Sequence, residues 1–201
     1  MLTVYGMTNS GNCYKPRLLL AKLGQPFRHV EISSRDGGTR SAAFLAKNPN
    51  AMVPLLEFED GRLLAESNAI LLHLAEGTRF LPADSYLRAL AYQWLFFEQY
   101  SHEPYIAVRK ALLTFPERAA QATPERLAQT LERGNKALGV MEAHLAGHDF
   151  LAGGYSVADV FFAPVATRIA TYALPVSPRA MAYVEAHLAH PAFRRWRAMG
   201  L

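Results

Sequence analysis

The sequence predicts a two-part protein, with a small α/β domain over residues 1–77 and a larger all-helical domain over residues 86–201. In the first part, short β-prone runs alternate with helical patterns and are joined by short connections. The stretch between the parts carries Gly, Pro and Asp and is typical of a linker. After the linker, apolar residues recur with the period of helices. These three observations indicate an α/β fold followed by an all-α fold.

The first part contains strands and helices in the predicted order β-α-β-α-β-β-α. They are predicted at residues 2–5, 14–23, 27–32, 39–47, 53–58, 62–64 and 66–75. The first helix closes at Gly24, a residue that suits the end of a helix. The Asp60-Gly61 pair between the last two strands is a strong signal for a hairpin.

The second part is predicted to be helical throughout. Its first helical pattern covers residues 86–118 and is interrupted near Pro104; the later helices are predicted at residues 124–146, 156–171, 178–188 and 191–199. Ser156 and Asp159 are spaced like a capping box with Asp in place of Glu. We therefore expect Asp159→Ala to lower stability more than activity, by the cost of about 1 kcal/mol that is typical of a lost cap.

Composition limits the classes of function. The chain has 201 residues, 51% of them apolar, and a net charge of +4 carried by scattered basic residues. Such a chain folds into a compact core, and scattered charge does not favour a nucleic-acid partner. The lone cysteine, Cys13, excludes an internal disulfide and fits a reducing compartment. With no signal peptide, no apolar run that could span a membrane and no histidine spacing typical of zinc, we expect a cytoplasmic protein without a metal.

A first candidate site lies where the first strand turns into the first helix. The turn contains Thr8, Asn9, Ser10 and Gly11, and Asn12 follows. The first N–H groups of a helix have no partners inside it and attract anions. Ser10 or Asn12 could add a donor, although both residue types are also ordinary helix caps.

A second candidate site is the Val53-Pro54 pair. If this peptide bond is cis, the backbone of Val53 is turned outward and can pair with an extended peptide. The alternative is an ordinary trans proline that opens an edge strand.

A third candidate site is the start of the last helix of the first part, at Glu66 and Ser67. The Ser67 hydroxyl and the free N–H groups could hold a carboxylate, and Glu66 could pair with an ammonium. The alternative for Ser67 is a simple cap. Taken together, the three sites suit a small acidic peptide that carries a thiol.

With these segments the chain resembles the glutathione transferase family, in its serine-type or bacterial nu-like groups. The resemblance is carried by Ser10-Gly11-Asn12-Cys13, by Val53-Pro54 within residues 48–55, by residues 66–71 and by Gly153-Gly154-Tyr155-Ser156-Val157-Ala158-Asp159, in the family's order. It implies a thioredoxin-like first domain, an all-helical second domain and a cytoplasmic homodimer. It also implies an enzyme of detoxification that uses glutathione as co-substrate.

The resemblance also implies roles for individual residues. Val53, before a cis Pro54, pairs with the cysteinyl backbone of glutathione, and Glu66 and Ser67 hold its γ-glutamyl end. Ser10 or Asn12 stabilises the thiolate. Many relatives carry Lys or Gln where Met52 stands, so the glycyl carboxylate needs another partner. Arg35 or Arg40 could supply it.

Several alternatives stay open at this level. Cys13 is expected to be a buried structural thiol, but as a nucleophile it would make the protein a thiol-transfer enzyme. Tyr105 and Arg109, about one helical turn apart, either line the site of the second substrate or serve packing and solvation. The function is expected to be conjugation of glutathione to a small hydrophobic electrophile. The alternatives are a glutathione-dependent disulfide or peroxide reductase and a non-catalytic glutathione-binding module.

Overall fold

The computed structural model describes residues 1–160 and residues 182, 183, 185, 186 and 189. The predicted helix over residues 191–199 lies outside these described residues, as do residues 161–171 and most of residues 178–188. The chain forms two compact units, the first over residues 1–78 and the second beginning at Arg79. The domain limits set from the sequence stay predictions. Within the described ranges, none of the helices has the length and apolar character needed to cross a membrane.

The first unit contains the strands and helices in the predicted order. They are β1 (Leu2–Gly6), α1 (Gly11–Leu23), β2 (Phe27–Glu31), α2 (Ala42–Leu45), β3 (Leu55–Glu57), β4 (Leu63–Ala65) and α3 (Ser67–Ala75). The strands form one mixed sheet in the order β2-β1-β3-β4. Strand β1 pairs parallel to β2 and antiparallel to β3, and β3 pairs antiparallel to β4. The order β-α-β-α-β-β-α is therefore confirmed.

The predicted hairpin between β3 and β4 is also confirmed. Gly61 has a φ of 82°, a conformation that glycine adopts at no steric cost. The side chain of Asp60 accepts a hydrogen bond from the Arg62 N–H at 3.1 Å and closes the turn. The Asp-Gly pair thus supplies both the turn conformation and a local hydrogen bond.

One core joins the sheet to helices α1 and α3. Val4 of β1 and Leu56 of β3 pack with Leu20 of α1 and Ile70 of α3, and all four are fully buried. Burying an aliphatic side chain of this size contributes about 1.5–3 kcal/mol to folding. Helices α1 and α3 pack against each other, and this pairing sets which of their other residues meet.

The predicted helix over residues 39–47 is wrong as a single helix. A 3₁₀ turn, Gly38–Arg40, is followed by the separate short helix α2. Between them Ser41 is extended, with a φ of −62° and a ψ of 147°, and its side chain accepts the N–H of Phe44. Serine at this position caps the second segment instead of continuing the first.

Helix α1 begins earlier than predicted, at Gly11, so that Pro16 lies inside it. Proline has no N–H, and it therefore gives no hydrogen bond to the carbonyl of Asn12 four residues before it. The helix nevertheless continues to Leu23 and ends at Gly24, which has a φ of 67°. A left-handed glycine is the usual way to close such a helix.

The second unit is helical in its described part. Its segments are α4 (Ser85–Phe97), a π-helical turn (Glu98–His102), α5 (Glu103–Thr114), a 3₁₀ helix (Pro116–Gln121), α6 (Pro124–Leu145) and α7 (Val157–Val160). The predicted interruption near Pro104 lies just before that residue, in the π-helical turn. Pro104 itself falls in the first turn of α5, where no N–H is needed. The predicted pattern to residue 118 ends at Thr114 because Phe115 is extended.

Candidate functional site

The topology brings the three polar segments to one end of the sheet. Tyr5 of β1, Leu55 of β3 and Ala65 of β4 form one row across the strands. Strands β1 and β4 run in the same direction, and β3 runs in the opposite direction. The residues that follow β1, precede β3 and follow β4 therefore lie beyond the same end of the sheet. These segments are the turn over residues 8–12, the Val53-Pro54 pair and the start of α3. Three segments that are distant in sequence thus share one edge.

Ser10 caps the N-terminus of α1. Its backbone is extended, and its Oγ accepts a hydrogen bond from the Cys13 N–H at 3.4 Å. This is the capping role that the sequence left open. A hydroxyl that accepts one N–H keeps its own proton to donate. Ser10 is partly exposed, as is Asn12 in the first turn of α1, so both side chains are placed to meet a ligand.

Cys13 faces the core of the first unit. Its side chain is fully buried, and a Cβ built on Gly6 of β1 would lie 2.8 Å from its Sγ. Burial raises the pKa of the Cys13 thiol, against the smaller lowering by its hydrogen bond with Ser10. A thiol that is buried and protonated is a poor nucleophile. The site thus disfavours chemistry at the cysteine's own sulfur.

The loop before β3 is held by one buried amide. The side chain of Asn48 donates to the carbonyl of Met52 at 2.8 Å and accepts the N–H of Asn50 at 3.2 Å. Its backbone carbonyl accepts the N–H of Ala51 at 3.0 Å. These three bonds close the loop on itself. Asn48 therefore fixes the backbone that leads into the Val53-Pro54 pair.

The Val53-Pro54 peptide bond is cis, as the resemblance implies. Val53 is partly exposed, and neither its N–H nor its C=O forms a backbone hydrogen bond within the described residues. Backbone groups left unpaired in a fold are usually satisfied by water or by a ligand. Val53 thus offers one donor and one acceptor beside the end of the sheet.

Helix α3 begins with Ser67, and Glu66 precedes it as the cap residue. Glu66 is exposed, whereas Ser67 is buried. No side chain accepts the first N–H groups of this helix from the cap position. Those groups carry the partial positive charge of the helix end and suit a carboxylate.

Two residues with an unusual backbone conformation flank these segments. Ala51 has a φ of 54° and Glu66 a φ of 69°, and they are the two non-glycine residues with a positive φ in the described part of the chain. Each such residue costs about 1–3 kcal/mol and persists where surrounding contacts hold it. Residues of this kind cluster at binding and active sites. One of them precedes the peptide edge, and the other precedes the helix start.

The structure adds a residue that the sequence reasoning missed, Lys15 of α1. Only 1% of this lysine is exposed. Its Nζ donates to Oγ of Ser67 and to Oδ1 of Asn68, both at 3.3 Å. A buried ammonium thus lies beside the start of α3. The signal in the sequence is a lysine on the same helix face as Leu18 and Leu19, where an apolar residue is expected.

Arg40 lies away from these contacts, on the 3₁₀ turn that precedes α2. Its side chain is exposed. Among the described residues, its guanidinium makes no hydrogen bond or ion pair. An unpaired arginine on the surface is available to a carboxylate, but no contact in the structure joins it to the other predicted residues.

Tyr105 and Arg109 belong to the second unit, and both contact α6. The Nη1 of Arg109 donates to the carbonyl of Leu127 at 2.6 Å and to Oγ1 of Thr130 at 3.5 Å. The hydroxyl of Tyr105 accepts a hydrogen bond from Nη1 of Arg133 at 2.7 Å, and the same guanidinium lies over its ring. Arg109 thus joins α5 to α6, and its assignment to a second substrate stays a prediction.

Comparison with known families gives two matches along the chain. A model of the N-terminal domain of glutathione S-transferases matches residues 1–76. A model of the C-terminal domain of glutathione S-transferases matches residues 124–198. The two matches occur in the order in which the α/β and helical parts occur here.

Individual proteins agree with this result. The chain is 31% identical to glutathione S-transferase GstB of Escherichia coli K12, over 89% of this chain and 88% of that protein. It is 32% identical to glutathione S-transferase 3 of Zea mays, over 96% of this chain and 92% of that protein. The crystal structure of a glutathione S-transferase from Xanthobacter autotrophicus Py2 superposes with a TM-score of 0.88 at 45% identity, covering 96% of this chain and 95% of that one. A thioredoxin-like domain followed by an all-α domain is thereby confirmed.

Proposed function

Since the chain belongs to the glutathione S-transferase family, we propose that it binds glutathione and activates its thiol for attack on a small hydrophobic electrophile. The observation that carries this proposal is the meeting of three complementary segments at one end of the sheet. A helix start suits the thiolate, an unpaired backbone edge suits the peptide, and a buried ammonium beside a second helix start suits a carboxylate.

The γ-glutamyl end binds at the start of α3 in this proposal. Its carboxylate accepts hydrogen bonds from the Ser67 hydroxyl and from the first N–H groups of the helix. The Lys15 ammonium, 3.3 Å from Ser67 Oγ, supplies the opposite charge. The exposed Glu66 carboxylate pairs with the glutamyl ammonium. This arrangement matches each charge of the head group with a group of opposite charge.

The rest of the tripeptide lies along the adjacent edge. The N–H and C=O of Val53 pair with the cysteinyl backbone in the manner of an added strand. The glycyl carboxylate extends beyond this pair toward solvent, and we assign Arg40 to it because that guanidinium has no partner among the described residues. This order places the cysteinyl sulfur nearest the turn over residues 8–12.

Ser10 and Asn12 stabilise the thiolate, and the energies suffice without a general base. A free thiol has a pKa of about 8.5, and ionisation at neutral pH requires a shift of roughly two units, or about 2.7 kcal/mol. One hydrogen bond to a charged group contributes about 1.5–3 kcal/mol. The helix terminus adds about 0.3–1 kcal/mol. The Ser10 hydroxyl can donate this bond while it still accepts the Cys13 N–H.

We expect Ser10→Ala or Asn12→Ala to raise the pKa of bound glutathione by about one to two units, because each variant removes a hydrogen bond to the charged sulfur. Titration of the thiolate's ultraviolet absorbance in the binary complex measures this shift. Calorimetry with glutathione provides the control, since the peptide edge and the head-group site are unchanged. An unaltered pKa in both variants would remove the assignment of these residues.

Cys13→Ser tests conjugation against thiol transfer. We expect this variant to keep its conjugating activity within about threefold, because the buried thiol is not the reacting group and the substitution is small. Parallel assays with an aryl halide and with a small mixed disulfide measure the two activities. Loss of the activity toward the disulfide alone would identify a second, reductase activity of this protein that uses Cys13. Loss of both activities with an intact fold would contradict the proposed mechanism.

A homodimer in the cytoplasm completes the proposal. Phe96, near the end of α4, is 67% exposed, and Tyr100, in the π-helical turn that follows, is 81% exposed. Large exposed aromatic side chains are typical of surfaces that another protein covers. Sedimentation of the purified protein gives its oligomeric state, and a monomer at every concentration would contradict the dimer.

A further inference from the structure

A hydrogen-bonded bracket holds the turn that carries Ser10. Thr8 begins this turn, immediately after β1. Glu31, the last residue of the neighbouring strand β2, pairs in register with Gly6 and therefore lies beside the turn. Arg17 approaches the same residue from α1. We name Glu31, Thr8 and Arg17 the Thr8 bracket.

Glu31 accepts hydrogen bonds from both donors of Thr8, its N–H and its hydroxyl. Its two carboxylate oxygens accept the Thr8 N–H at 3.1 and 3.0 Å. The Thr8 hydroxyl also donates to this carboxylate, and His29 Nε2 lies 3.0 Å from it. Partial burial raises the pKa of the Glu31 carboxyl, but the hydrogen bonds from Thr8 and His29 hold this pKa below its ordinary value. The carboxylate is therefore charged across the neutral range.

Arg17 donates hydrogen bonds to two backbone carbonyls. Its Nη2 donates to the carbonyl of Thr8 at 2.8 Å, and its Nε donates to the carbonyl of Cys13 at 3.1 Å. One rigid guanidinium therefore joins the start of the turn to the first turns of α1. Ser10 and Asn12 lie between these two carbonyls in the chain.

The burial of Arg17 indicates that its charged side chain is required at this position. Only 4% of the residue is exposed, and its Nη1 has no hydrogen-bond partner within the described residues. Burying a charge with an unsatisfied donor is costly. An apolar side chain would fill the same space without that cost, but it could not join the two carbonyls.

We propose that Glu31 and Arg17 are positioning residues for thiolate activation, acting through Thr8 to fix Ser10 and Asn12 against the glutathione sulfur. This inference rests on the proposed function. A hydrogen bond to a charged group weakens steeply when its geometry is lost. The bracket does not contact Val53, Glu66 or Ser67, so it acts on the sulfur and leaves the affinity for the tripeptide largely unchanged.

The test is Glu31→Gln, which preserves the volume but removes the charge and one acceptor. We expect the pKa of bound glutathione to rise by about half a unit to one unit, equivalent to a three- to tenfold loss of thiolate below that pKa. kcat should fall by a similar factor, and the dissociation constant for glutathione should change less than about threefold. Arg17→Lys should act in the same direction, because one ammonium cannot reproduce the guanidinium's fork.

Glu57→Gln is the matched control. Glu57 is also a partly exposed glutamate of this sheet that accepts side-chain hydrogen bonds, from Tyr5 and Lys47. It pairs with Thr3, toward the other end of β1. We expect Glu57→Gln to leave the thiol pKa unchanged. If Glu31→Gln does not fold, Thr8→Val removes the contacts of the hydroxyl with Glu31 and His29 but keeps the bonds from the Thr8 N–H to the carboxylate. It should give a smaller shift of the same sign.

The outcomes separate this inference from the proposed function. If the parent lowers the pKa of bound glutathione but the folded Glu31 and Arg17 variants keep the parental value, the positioning role is overturned and the proposed function stands. A loss of thermal stability without a change in thiol pKa also overturns it, since that pattern means a structural role. If the parent does not bind glutathione, both proposals fail together.

Discussion

Asp159→Ala is expected to lower the free energy of unfolding by about 3–5 kcal/mol, the range for breaking a buried hydrogen-bonded charge network. Asp159 is fully buried. Its carboxylate accepts the Leu151 N–H at 3.1 Å, the Ser156 N–H at 2.7 Å and the Tyr183 hydroxyl at 2.7 Å. Alanine would leave these buried donors without their acceptor, and each such loss costs about 1–3 kcal/mol.

This expectation exceeds the cost that the sequence pattern alone suggests. The capping box is present, because Asp159 accepts the Ser156 N–H and Ser156 Oγ accepts the Ala158 N–H at 3.2 Å. A cap by itself is worth about 1 kcal/mol. The bonds to Leu151 and Tyr183 link the box to two other parts of the second unit, so the substitution removes tertiary contacts as well.

Urea denaturation measures the effect, and Asp84→Ala is the matched control. Asp84 caps α4 by accepting the Leu87 N–H at 2.8 Å, but it is exposed. We expect this control to lose about 1 kcal/mol, as for an ordinary cap. Equal losses in the two variants would show that the buried network adds nothing. The glutathione affinity of folded Asp159→Ala should match the parent, since the proposed site lies in the first unit.

Lys15→Met is expected to weaken glutathione binding by roughly thirtyfold or more without destabilising the unliganded protein. Removing one partner of a buried charge pair costs about 2–5 kcal/mol in binding, and 2 kcal/mol is a factor of about thirty. In the absence of ligand, the contacts of the buried ammonium include two neutral oxygen acceptors at 3.3 Å, Ser67 Oγ and Asn68 Oδ1. Replacing a buried charge by an apolar side chain of similar volume is often neutral or stabilising.

Calorimetry with glutathione and urea denaturation without it measure the two effects. Lys22→Met is the control, because Lys22 lies in the last turn of the same helix and is expected to leave binding unchanged. A glutathione analogue that lacks the glutamyl α-carboxylate makes the test specific. The parent should discriminate strongly against the analogue, whereas Lys15→Met should discriminate much less, because only Ser67 and the first N–H groups of α3 remain to bind the carboxylate. Discrimination as strong in the variant as in the parent would contradict the role proposed for Lys15.

The candidate site was predicted in part from sequence. The polar turn, the Val53-Pro54 pair and the Ser67 helix start were identified because each is a local pattern of turn and capping residues. The resemblance to a family then linked them into one site. The bracket and Lys15 were missed, since the Lys15–Ser67 bond joins residues separated by 52 positions and no local periodicity reports such a contact.

The sequence by itself determined the order of strands and helices, the Asp60-Gly61 hairpin and the capping box at Ser156. These features depend on backbone preferences and hydrogen bonds within a few residues, so their signals are local. The tertiary structure alone decided that Lys15 and Arg17 are buried, and that Glu31 meets Thr8. The cost or benefit of burying a charge depends on the groups brought to it by distant strands and helices, and the packing of the sheet against α1 and α3 determines those groups.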